Sequence, residues 1–356
     1  MGETTGISWT DHTWNPWSGC TKVSEGCKNC YAEASETRFN RAKWGENGTR
    51  IARAYAGWKE VLAWDRKAAR DGVRRRVFCA SMADFAEDWK GQVVNHRGEP
   101  LWFLDCEGER DTDGLPVFSI SEIVDRSGLG LQWVRLPLTL DTLRAELFRL
   151  IERTPNLDWM LLTKRPENVM RMVPESWRKA FPSNVWMGAS VENQPAADER
   201  VGELLKIPAR VRFLSCEPLL GSVNLRDAFI VGPEGGSEYF GSPRHMIHLV
   251  IVGGESGKNA RPMHPAWARS IRDQCKAAGV AFWFKQWGEW FPRAQWEHNP
   301  ELILPDDADA YVEGPRTCHL GGYDPETMHR VGTKAAGHLL DGVEHHEMPN
   351  NTKEAN

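Results

Sequence analysis

The chain has 356 residues, of which 41% are hydrophobic and 26% are charged, and its formal net charge is −5. Its 17 Trp and 13 Phe can bury enough apolar surface to offset chain entropy, which excludes an intrinsically disordered protein. Its apolar runs are far shorter than the ~20 residues of a membrane-spanning helix, and its acidic, polar first residues differ from a secretory signal peptide. We therefore expect a cytoplasmic protein with no membrane partner.

Short apolar runs, each followed by a polar stretch and then a helical stretch, recur along the chain. From residue 158 onward the predicted strands begin 26, 27, 37 and 32 residues apart. A spacing of ~30 residues is that of βα units in a parallel fold. The predicted strands are 7–9, 76–80, 158–162, 184–188, 211–214, 248–252 and 280–284, and the predicted helices are 32–44, 58–70, 140–153, 197–206 and 265–278.

This spacing predicts an α/β protein in which residues 1–288 form a parallel (β/α) barrel, full or partial and similar to a TIM barrel. Two stretches interrupt the pattern. Residues 90–136 contain several Gly- and Pro-bearing turns, and we predict an insertion with short strands of its own. Residues 289–356 are rich in Pro, His and acidic residues, and we predict an irregular C-terminal extension packed on or near the barrel.

Polar residues follow six of the predicted strands. The carboxyl ends of parallel strands form the edge at which ligands bind and catalytic side chains gather. Any one of these residues is explained by capping of the next helix, but six groups in succession that mix carboxylates with Lys and Arg are not. A buried structural ion pair between Lys164 and Glu192 or Glu217 is the alternative for those three residues. The candidate residues are Asp84, Thr163, Lys164, Arg165, Ser190, Glu192, Ser215, Glu217, Gly253, Gly254, Glu255 and Lys285.

A local basic run precedes the strand at 76–80. It consists of Arg70 and 74–76 in a chain whose pI is about 6.2. Such a run is either a solvated helix end or a contact for nucleic acid.

Three cysteines lie close together after the first predicted strand. Cys20, Cys27 and Cys30 have the spacing C-x6-C-x2-C. Clustered cysteines in a reducing compartment indicate metal or redox chemistry rather than disulfides. Three thiolates suit a [4Fe-4S] cluster that keeps one iron open, whereas structural zinc needs a fourth ligand, for which His12 is a candidate. Ordinary buried thiols are the third alternative.

The arrangement of three cysteines after the first strand of a parallel barrel resembles the radical S-adenosylmethionine (radical SAM) enzymes. The common spacing in that superfamily is C-x3-C-x2-C with an aromatic residue before the last Cys. Here the first gap is six residues, Asn29 precedes the last Cys and Tyr31 follows it.

A closer resemblance extends along most of the chain. Segments 13–20, 27–33, 162–168, 215–221, 253–257, 284–288 and 331–342 are similar to a phage-associated three-cysteine protein family. This resemblance implies a radical SAM-type barrel of phages and prophages. It would use a [4Fe-4S] cluster, S-adenosylmethionine and an electron donor, and would act on an unidentified substrate such as DNA, RNA or a nucleotide.

The resemblance also implies roles for the strand-end residues. Cys20, Cys27 and Cys30 would bind the cluster. Lys285, Glu255 and Asp84 are the predicted catalytic or substrate-facing residues. The predicted cofactor-binding residues are Thr163, Lys164, Arg165, Ser190, Glu192, Ser215, Glu217, Gly253, Gly254 and Glu255.

Two further expectations concern the same site. Trp14, Trp17 and Trp287 flank the proposed site in sequence, and we predict that they form the aromatic wall of a dry pocket. The alternative function is a nucleic-acid-binding or assembly protein in which zinc or an iron–sulfur cluster stabilises the fold without catalysis.

Overall fold

A computed structural model describes residues 5–39, 41–103, 111–119, 123–125, 132–229, 247–298, 310–313 and 326–349. Its main element is a sheet of seven strands. The strands are β1 (His12–Thr13), β2 (Arg75–Cys79), β3 (Leu157–Thr163), β4 (Val185–Ser190), β5 (Val211–Cys216), β6 (Leu249–Gly253) and β7 (Ala281–Gln286). The helices are α1 (Tyr31–Arg38), α2 (Tyr55–Asp71), α3 (Leu140–Glu152), α4 (Pro166–Met172), α5 (Glu175–Lys179), α6 (Gln194–Leu205), α7 (Arg226–Phe229), α8 (Pro265–Ala278) and α9 (Thr333–Ala336).

The strands follow one another across the sheet in the order β1-β2-β3-β4-β5-β6-β7. Strand β2 pairs in parallel with β1 and β3, and β6 pairs in parallel with β5 and β7. A sequential order without reversal is that of a (β/α) barrel and not of a doubly wound sheet. Because β1 and β7 are end strands, the described residues form a half-barrel. The predicted partial barrel agrees with this topology, and the predicted full barrel is wrong for these residues.

The inner strands are apolar on both faces, as a parallel sheet covered by helices requires. Every residue of β4, β5 and β6 is buried. Helices α2 and α8 end at Gly72 and Gly279, which adopt the left-handed conformation with φ of 64° and 68°. Glycine tolerates this conformation because it lacks a Cβ, so Gly72 and Gly279 mark the ends of the two helices in the sequence.

The prediction of the first strand at 7–9 is wrong. The first strand of the sheet is β1, in which His12 pairs with Val77. The apolar residue Trp9 is explained by packing in the core, since it is buried against the Phe78 ring with the centroids 4.6 Å apart. The backbone around it forms a turn, in which the Thr10 N–H donates to the carbonyl oxygen of Ile7 at 3.3 Å.

The chain divides into two compact units. The first unit comprises Met1–Val23 and Ala32–Trp186, and the second comprises Ser24–Tyr31 and Met187–Asn356. The core of the first unit contains Trp14, whose ring meets those of Trp58 and Trp159 edge-on at 5.0 and 5.7 Å. The core of the second unit contains Phe284 packed against Trp287 at 4.9 Å.

The stretch predicted as a C-terminal extension contains regular structure in its described part. Strands Trp290–Pro292, Ala310–Glu313 and Glu326–Arg330 form an antiparallel sheet with Glu326–Arg330 in the middle. The boundary between residues 288 and 289 stays a prediction, since these strands belong to the second unit together with the last barrel strands.

Short strands also lie within 90–136, the stretch predicted as an insertion. Trp102–Phe103 pairs with Leu136–Pro137, and Ile123–Asp125 pairs with Gln132–Val134, both antiparallel. The Val93 N–H donates to the carbonyl oxygen of Leu138 at 2.8 Å. The two ends of the stretch are therefore neighbours in space.

Within the described ranges, no helix is both long enough and apolar enough to cross a membrane.

Candidate functional site at the strand ends

In the first unit, Asp84 and Arg165 form a buried ion pair at the ends of β2 and β3. Arg165 Nη1 lies 2.8 Å from Asp84 Oδ2, and the Asp84 side chain also accepts hydrogen bonds from Thr163 Oγ1 at 2.6 Å and the Lys164 backbone N–H at 3.1 Å. Asp84 is 5% exposed. The structure thus brings together four residues that the sequence placed at this edge.

The same guanidinium contacts the first cysteine. Arg165 Nη2 donates to the Thr21 carbonyl oxygen at 2.8 Å, and Arg165 Nη1 lies 3.8 Å from Cys20 Sγ. Burial raises the pKa of the Cys20 thiol, the charges of Glu87 and Asp84 raise it further, and Arg165 opposes them. The metal-free thiol is therefore protonated at neutral pH, and a bound metal would have to displace its proton.

A second buried ion pair supports this cysteine and was missed by the sequence analysis. Arg50 donates through Nε and Nη2 to the two carboxylate oxygens of Glu87, both at 2.8 Å. Arg50 Nη2 also donates to Thr21 Oγ1 at 2.9 Å, and Glu87 Oε1 accepts from the Thr21 N–H at 2.7 Å. Neither Arg50 nor Glu87 follows a predicted barrel strand directly, so the strand-end pattern gave no signal for them.

In the second unit, Glu192 is buried beyond the end of β4. Its Oε1 accepts from Ser24 Oγ at 3.1 Å, and its Oε2 accepts from Arg200 Nη1 at 3.0 Å. Arg200 Nη1 also donates to the Ser190 carbonyl oxygen at 2.9 Å. Gly26 packs directly on this carboxylate, since a Cβ at Gly26 would lie 2.4 Å from Glu192.

Glu255, beyond the end of β6, is held by Arg261 and Asn29. Its Oε2 accepts from the Arg261 N–H at 2.7 Å, from Arg261 Nε at 2.9 Å and from Asn29 Nδ2 at 3.0 Å, and its Oε1 accepts from Arg261 Nη2 at 2.6 Å. Burial alone would raise the pKa of Glu255, but the hydrogen bonds from Arg261 and Asn29 outweigh it and lower the pKa. Glu255 is therefore a carboxylate at neutral pH.

Glu217 and Lys285 form a fourth strand-end ion pair, at the ends of β5 and β7. Lys285 Nζ lies 2.9 Å from Glu217 Oε1, and the two side chains are 25% and 14% exposed. Ser215 Oγ lies 3.4 Å from Glu217 Oε2. Gly253 packs on the same carboxylate, because a Cβ there would lie 2.5 Å from Glu217 Oε1. This pair is more accessible to a ligand than the buried carboxylates Glu192 and Glu255.

Gly254 has a packing role in the second unit. A Cβ at Gly254 would lie 1.8 Å from the Trp287 carbonyl oxygen. Its N–H donates to the Gln286 carbonyl oxygen at 2.9 Å. Both glycines are therefore required by close packing, Gly253 on the Glu217 carboxylate and Gly254 on the Trp287 backbone.

None of the three clustered cysteines forms a disulfide, and neither Cys79 nor Cys275 does. Cys27 is buried with Ser24 Oγ 3.8 Å from its sulfur, and Cys20 has the Arg165 guanidinium beside it. Free thiols with hydrogen-bond donors beside them fit the thiolate ligands of an iron–sulfur cluster, whose sulfurs accept such bonds. In the part of the chain that the structure describes, no group of three or more His, Cys, Asp or Glu side chains is arranged to hold a metal ion.

The tryptophans predicted to wall a pocket have structural contacts. The indole N–H of Trp14 donates to the Gly57 carbonyl oxygen at 2.8 Å, and that of Trp287 donates to the Leu339 carbonyl oxygen at 2.9 Å. Both rings and that of Trp17 are at most 1% exposed. Their contacts are those of core residues.

The basic run before β2 is neutralised by acidic neighbours. Arg74 Nη2 lies 2.7 Å from Asp158 Oδ1, and Arg70 Nε lies 3.3 Å from Asp71. The next two arginines of the run lie within 4 Å of Asp11. Each arginine of the run therefore has a carboxylate beside it that offsets its positive charge.

The fold and these ion pairs define an α/β protein with a half-barrel sheet, in which each unit carries ion pairs at the ends of its strands. A family model described as "Protein of unknown function (DUF5131)" matches residues 4–96 and 138–349. The chain belongs to this family, since the match covers most of its length. No curated protein and no solved structure matches the chain. The unmatched residues 97–137 overlap the stretch 90–136 that the sequence predicts as an insertion.

Proposed function

We propose that the protein is a radical SAM-type iron–sulfur enzyme in which Cys20, Cys27 and Cys30 bind a [4Fe-4S] cluster. The observation that carries the proposal is the set of three cysteines, none in a disulfide, with C-x6-C-x2-C spacing after β1 of a parallel half-barrel. Three cysteine ligands leave one iron open for a cofactor. When bound, the cluster would supply the electron that cleaves S-adenosylmethionine to a 5′-deoxyadenosyl radical.

The residues beside the thiols have complementary roles in this proposal. Arg165 holds its cation beside the Cys20 sulfur, where it would offset the negative charge of the bound cluster. Glu217 and Lys285 are partly exposed, so they are our candidates for contact with cofactor or substrate. Substrate and cofactor would enter from the strand-end edge, which is the ligand-binding edge of parallel barrels.

Anaerobic reconstitution with iron and sulfide tests the proposal. We expect a brown protein with about one cluster per chain that yields 5′-deoxyadenosine from S-adenosylmethionine after reduction. Replacing Cys20, Cys27 or Cys30 by Ala should abolish both properties. The matched control is Cys275→Ala, because Cys275 is a free, buried thiol outside the clustered segment. Stoichiometric zinc without iron uptake would contradict the proposal.

A second candidate function, nucleic-acid binding without catalysis, is favoured by a surface at the end of α1. Phe39 is 60% exposed, and the guanidiniums of Arg38 and Arg41 lie 5.8 and 4.9 Å from its ring centroid. Lys43 adds an exposed cation. An exposed aromatic ring beside several cations is the combination that binds single-stranded nucleic acid, through base stacking and phosphate contacts.

Fluorescence anisotropy with a labelled single-stranded oligonucleotide tests this second candidate. Phe39→Ala should weaken binding by about 1–3 kcal/mol if a base stacks on the ring. The matched control is Tyr55→Ala, since Tyr55 is also exposed but has one cation beside its ring, Lys59 Nζ at 4.9 Å from the centroid, where Phe39 has two guanidiniums. Equal affinity of the Phe39 variant and the wild-type protein would rule out this surface.

A further inference from the structure

The second unit contains a segment that is fixed at several points by residues beyond the strand ends. This segment, Ser24–Tyr31, carries Cys27 and Cys30 and is separated in sequence from the rest of the second unit. All residues of the segment are described by the structure. Its regular structure consists of a short 3-10 helix, Glu25–Cys27, and the first residue of α1. Little in its own backbone therefore fixes its conformation, and its contacts with the rest of the second unit decide it. We call it the cysteine segment.

Glu192 provides the first attachment. The Ser24 hydroxyl donates to one of its oxygens at 3.1 Å, while Arg200 neutralises the other at 3.0 Å. Both Glu192 and Arg200 are 1% exposed, so the ion pair that supports the segment is buried. Gly26 brings its backbone against the same carboxylate, where a Cβ would come within 2.4 Å of Glu192.

Glu255 and Arg261 provide the second attachment. Asn29, which lies between the two cysteines of the segment, donates through Nδ2 to Glu255 Oε2 at 3.0 Å and to the Asn259 carbonyl oxygen at 2.7 Å. Arg261 Nη2 donates to the Glu25 carbonyl oxygen at 3.0 Å while it pairs with Glu255. Glu255 thus holds the Asn29 end of the Glu25–Asn29 stretch directly, and its partner Arg261 holds the Glu25 end.

These contacts use most of the hydrogen-bonding capacity of Glu255, since three donors converge on Oε2 and one reaches Oε1. A carboxylate has about four lone-pair sites. Glu255 accepts from Asn29 Nδ2, from the Arg261 N–H and from Arg261 Nε and Nη2. It is 5% exposed, and its lowered pKa opposes protonation. These properties suit a residue that holds other residues in place better than one that accepts a proton from a substrate.

We propose that Glu192 and Glu255 are positioning residues that hold the cysteine segment, so that Cys27 and Cys30 present their thiols in fixed positions before any metal binds. The importance of this for cluster binding rests on the proposed function. The preorganisation itself is a property of the metal-free protein. Loss of either attachment would let the segment fluctuate and would raise the entropic cost of binding a cluster.

Hydrogen–deuterium exchange of the metal-free protein tests the proposal. In Asn29→Ala and Ser24→Ala, exchange of the peptide that covers the cysteine segment should be about tenfold faster than in the wild-type protein, because each variant loses a hydrogen bond to a buried carboxylate. Exchange in β5 should be unchanged. Ser24→Thr keeps the hydroxyl and should restore slow exchange. A reconstituted Asn29→Ala protein should lose iron to a chelator about tenfold faster.

The matched control is Asn184→Ala. Asn184 also donates twice through Nδ2, to the carbonyl oxygens of Ile151 and Thr154, both at 3.2 Å, but it lies in the first unit. This variant should lower global stability and leave exchange of the cysteine segment unchanged. Wild-type exchange rates in both Asn29→Ala and Ser24→Ala would overturn the positioning proposal, whatever the protein binds. Failure of the wild-type protein to bind iron would overturn the proposed function and leave the exchange result intact.

Discussion

Among the described residues of the first unit, Arg50 and Glu87 form the most completely buried ion pair, with side chains 0% and 3% exposed. The two groups satisfy each other in a bidentate geometry, and the Arg50 guanidinium also lies 4.7 Å from the centroid of the Trp89 ring. A buried pair contributes little net stability compared with apolar residues of the same volume, but removal of one partner leaves an uncompensated charge. Truncation of the Arg50 side chain should therefore lower the free energy of unfolding.

We predict that Arg50→Ala lowers the free energy of unfolding by about 3–5 kcal/mol, because Glu87 would stay buried without its cation. Urea denaturation followed by tryptophan fluorescence measures the change. The control is Arg70→Ala, which removes an arginine that is 73% exposed beside Asp71 and should change the free energy of unfolding by less than about 0.5 kcal/mol. Similar effects of the two substitutions would show that the Arg50 pair is not buried as described.

For two strand-end ion pairs, Asp84–Arg165 and Glu217–Lys285, both partners follow apolar strands and are predicted from the sequence. For Glu192 and Glu255 the strand pattern predicts only the carboxylate. The groups that hold these two carboxylates do not follow a strand. Arg200 lies inside α6, and Asn29 is 226 residues from Glu255 in the sequence, so only the fold brings these groups together. Asn29 stands where radical SAM enzymes commonly have an aromatic residue. Its hydrogen bond to Glu255 explains why an amide is present at this position.

At the scale of elements, α8 is joined to the chain that follows the barrel by a carboxylate. Asp341 accepts hydrogen bonds from Arg269 Nε at 2.9 Å, from Arg272 Nη1 at 2.6 Å and from Gln295 Nε2 at 2.8 Å. Burial alone would raise the pKa of Asp341, but these donors outweigh it and hold the pKa well below its usual range. The helix and the C-terminal segment are thus linked through one ionised group.

We predict that this link makes stability dependent on pH in the acid range. The folded-state pKa of Asp341 is lowered, so its contribution is fully present above the unfolded-state pKa of ~3.9 and is lost as the pH falls below that value towards the folded-state pKa. The melting temperature of Asp341→Asn should therefore fall less steeply between about pH 4 and pH 2 than that of the wild-type protein. Thermal denaturation at several pH values measures both slopes. Parallel curves would contradict the prediction.

Long elements were predictable, and short ones were not. The predicted helices 58–70 and 265–278 correspond to α2 and α8, whose ends are marked by glycines in the left-handed conformation. Helices α4 and α5 were missed because they have only 7 and 5 residues, too few for an apolar period to stand out. The first strand was misplaced for the same reason. Strand β1 has only two residues and shows no alternation of apolar residues, whereas the apolar Trp9 nearby favoured a strand at 7–9.

At the scale of the whole molecule, the tryptophan excess is mainly a property of the core. Among the described residues, seven of the largest fully buried side chains are tryptophans: Trp9, Trp14, Trp17, Trp58, Trp159, Trp177 and Trp287. Composition correctly excludes disorder and correctly predicts a large apolar interior. It does not predict a pocket, because an indole in a strand or turn looks the same in sequence whether it faces a ligand or another ring.

The spacing of the strands determines the order of the sheet but not its closure. A regular interval between parallel strands predicts sequential neighbours, as observed from β1 to β7. Closure depends on strand tilt, shear and the number of strands, and none of these appears in the hydrophobic pattern. For that reason the sequence leaves a full and a partial barrel equally open, whereas the described residues form the partial one.

The hydrogen bond between the Val93 N–H and the Leu138 carbonyl oxygen, 2.8 Å long, has a consequence for how the chain can vary in length. It brings together the two ends of a stretch of which residues 97–137 lie outside the family match. A segment whose ends already meet can grow, shrink or be exchanged without altering the register of β2 and β3, which flank it in the sequence. We therefore expect the half-barrel to tolerate an insertion at this position, such as a fluorescent reporter domain grafted there to follow the protein in a cell.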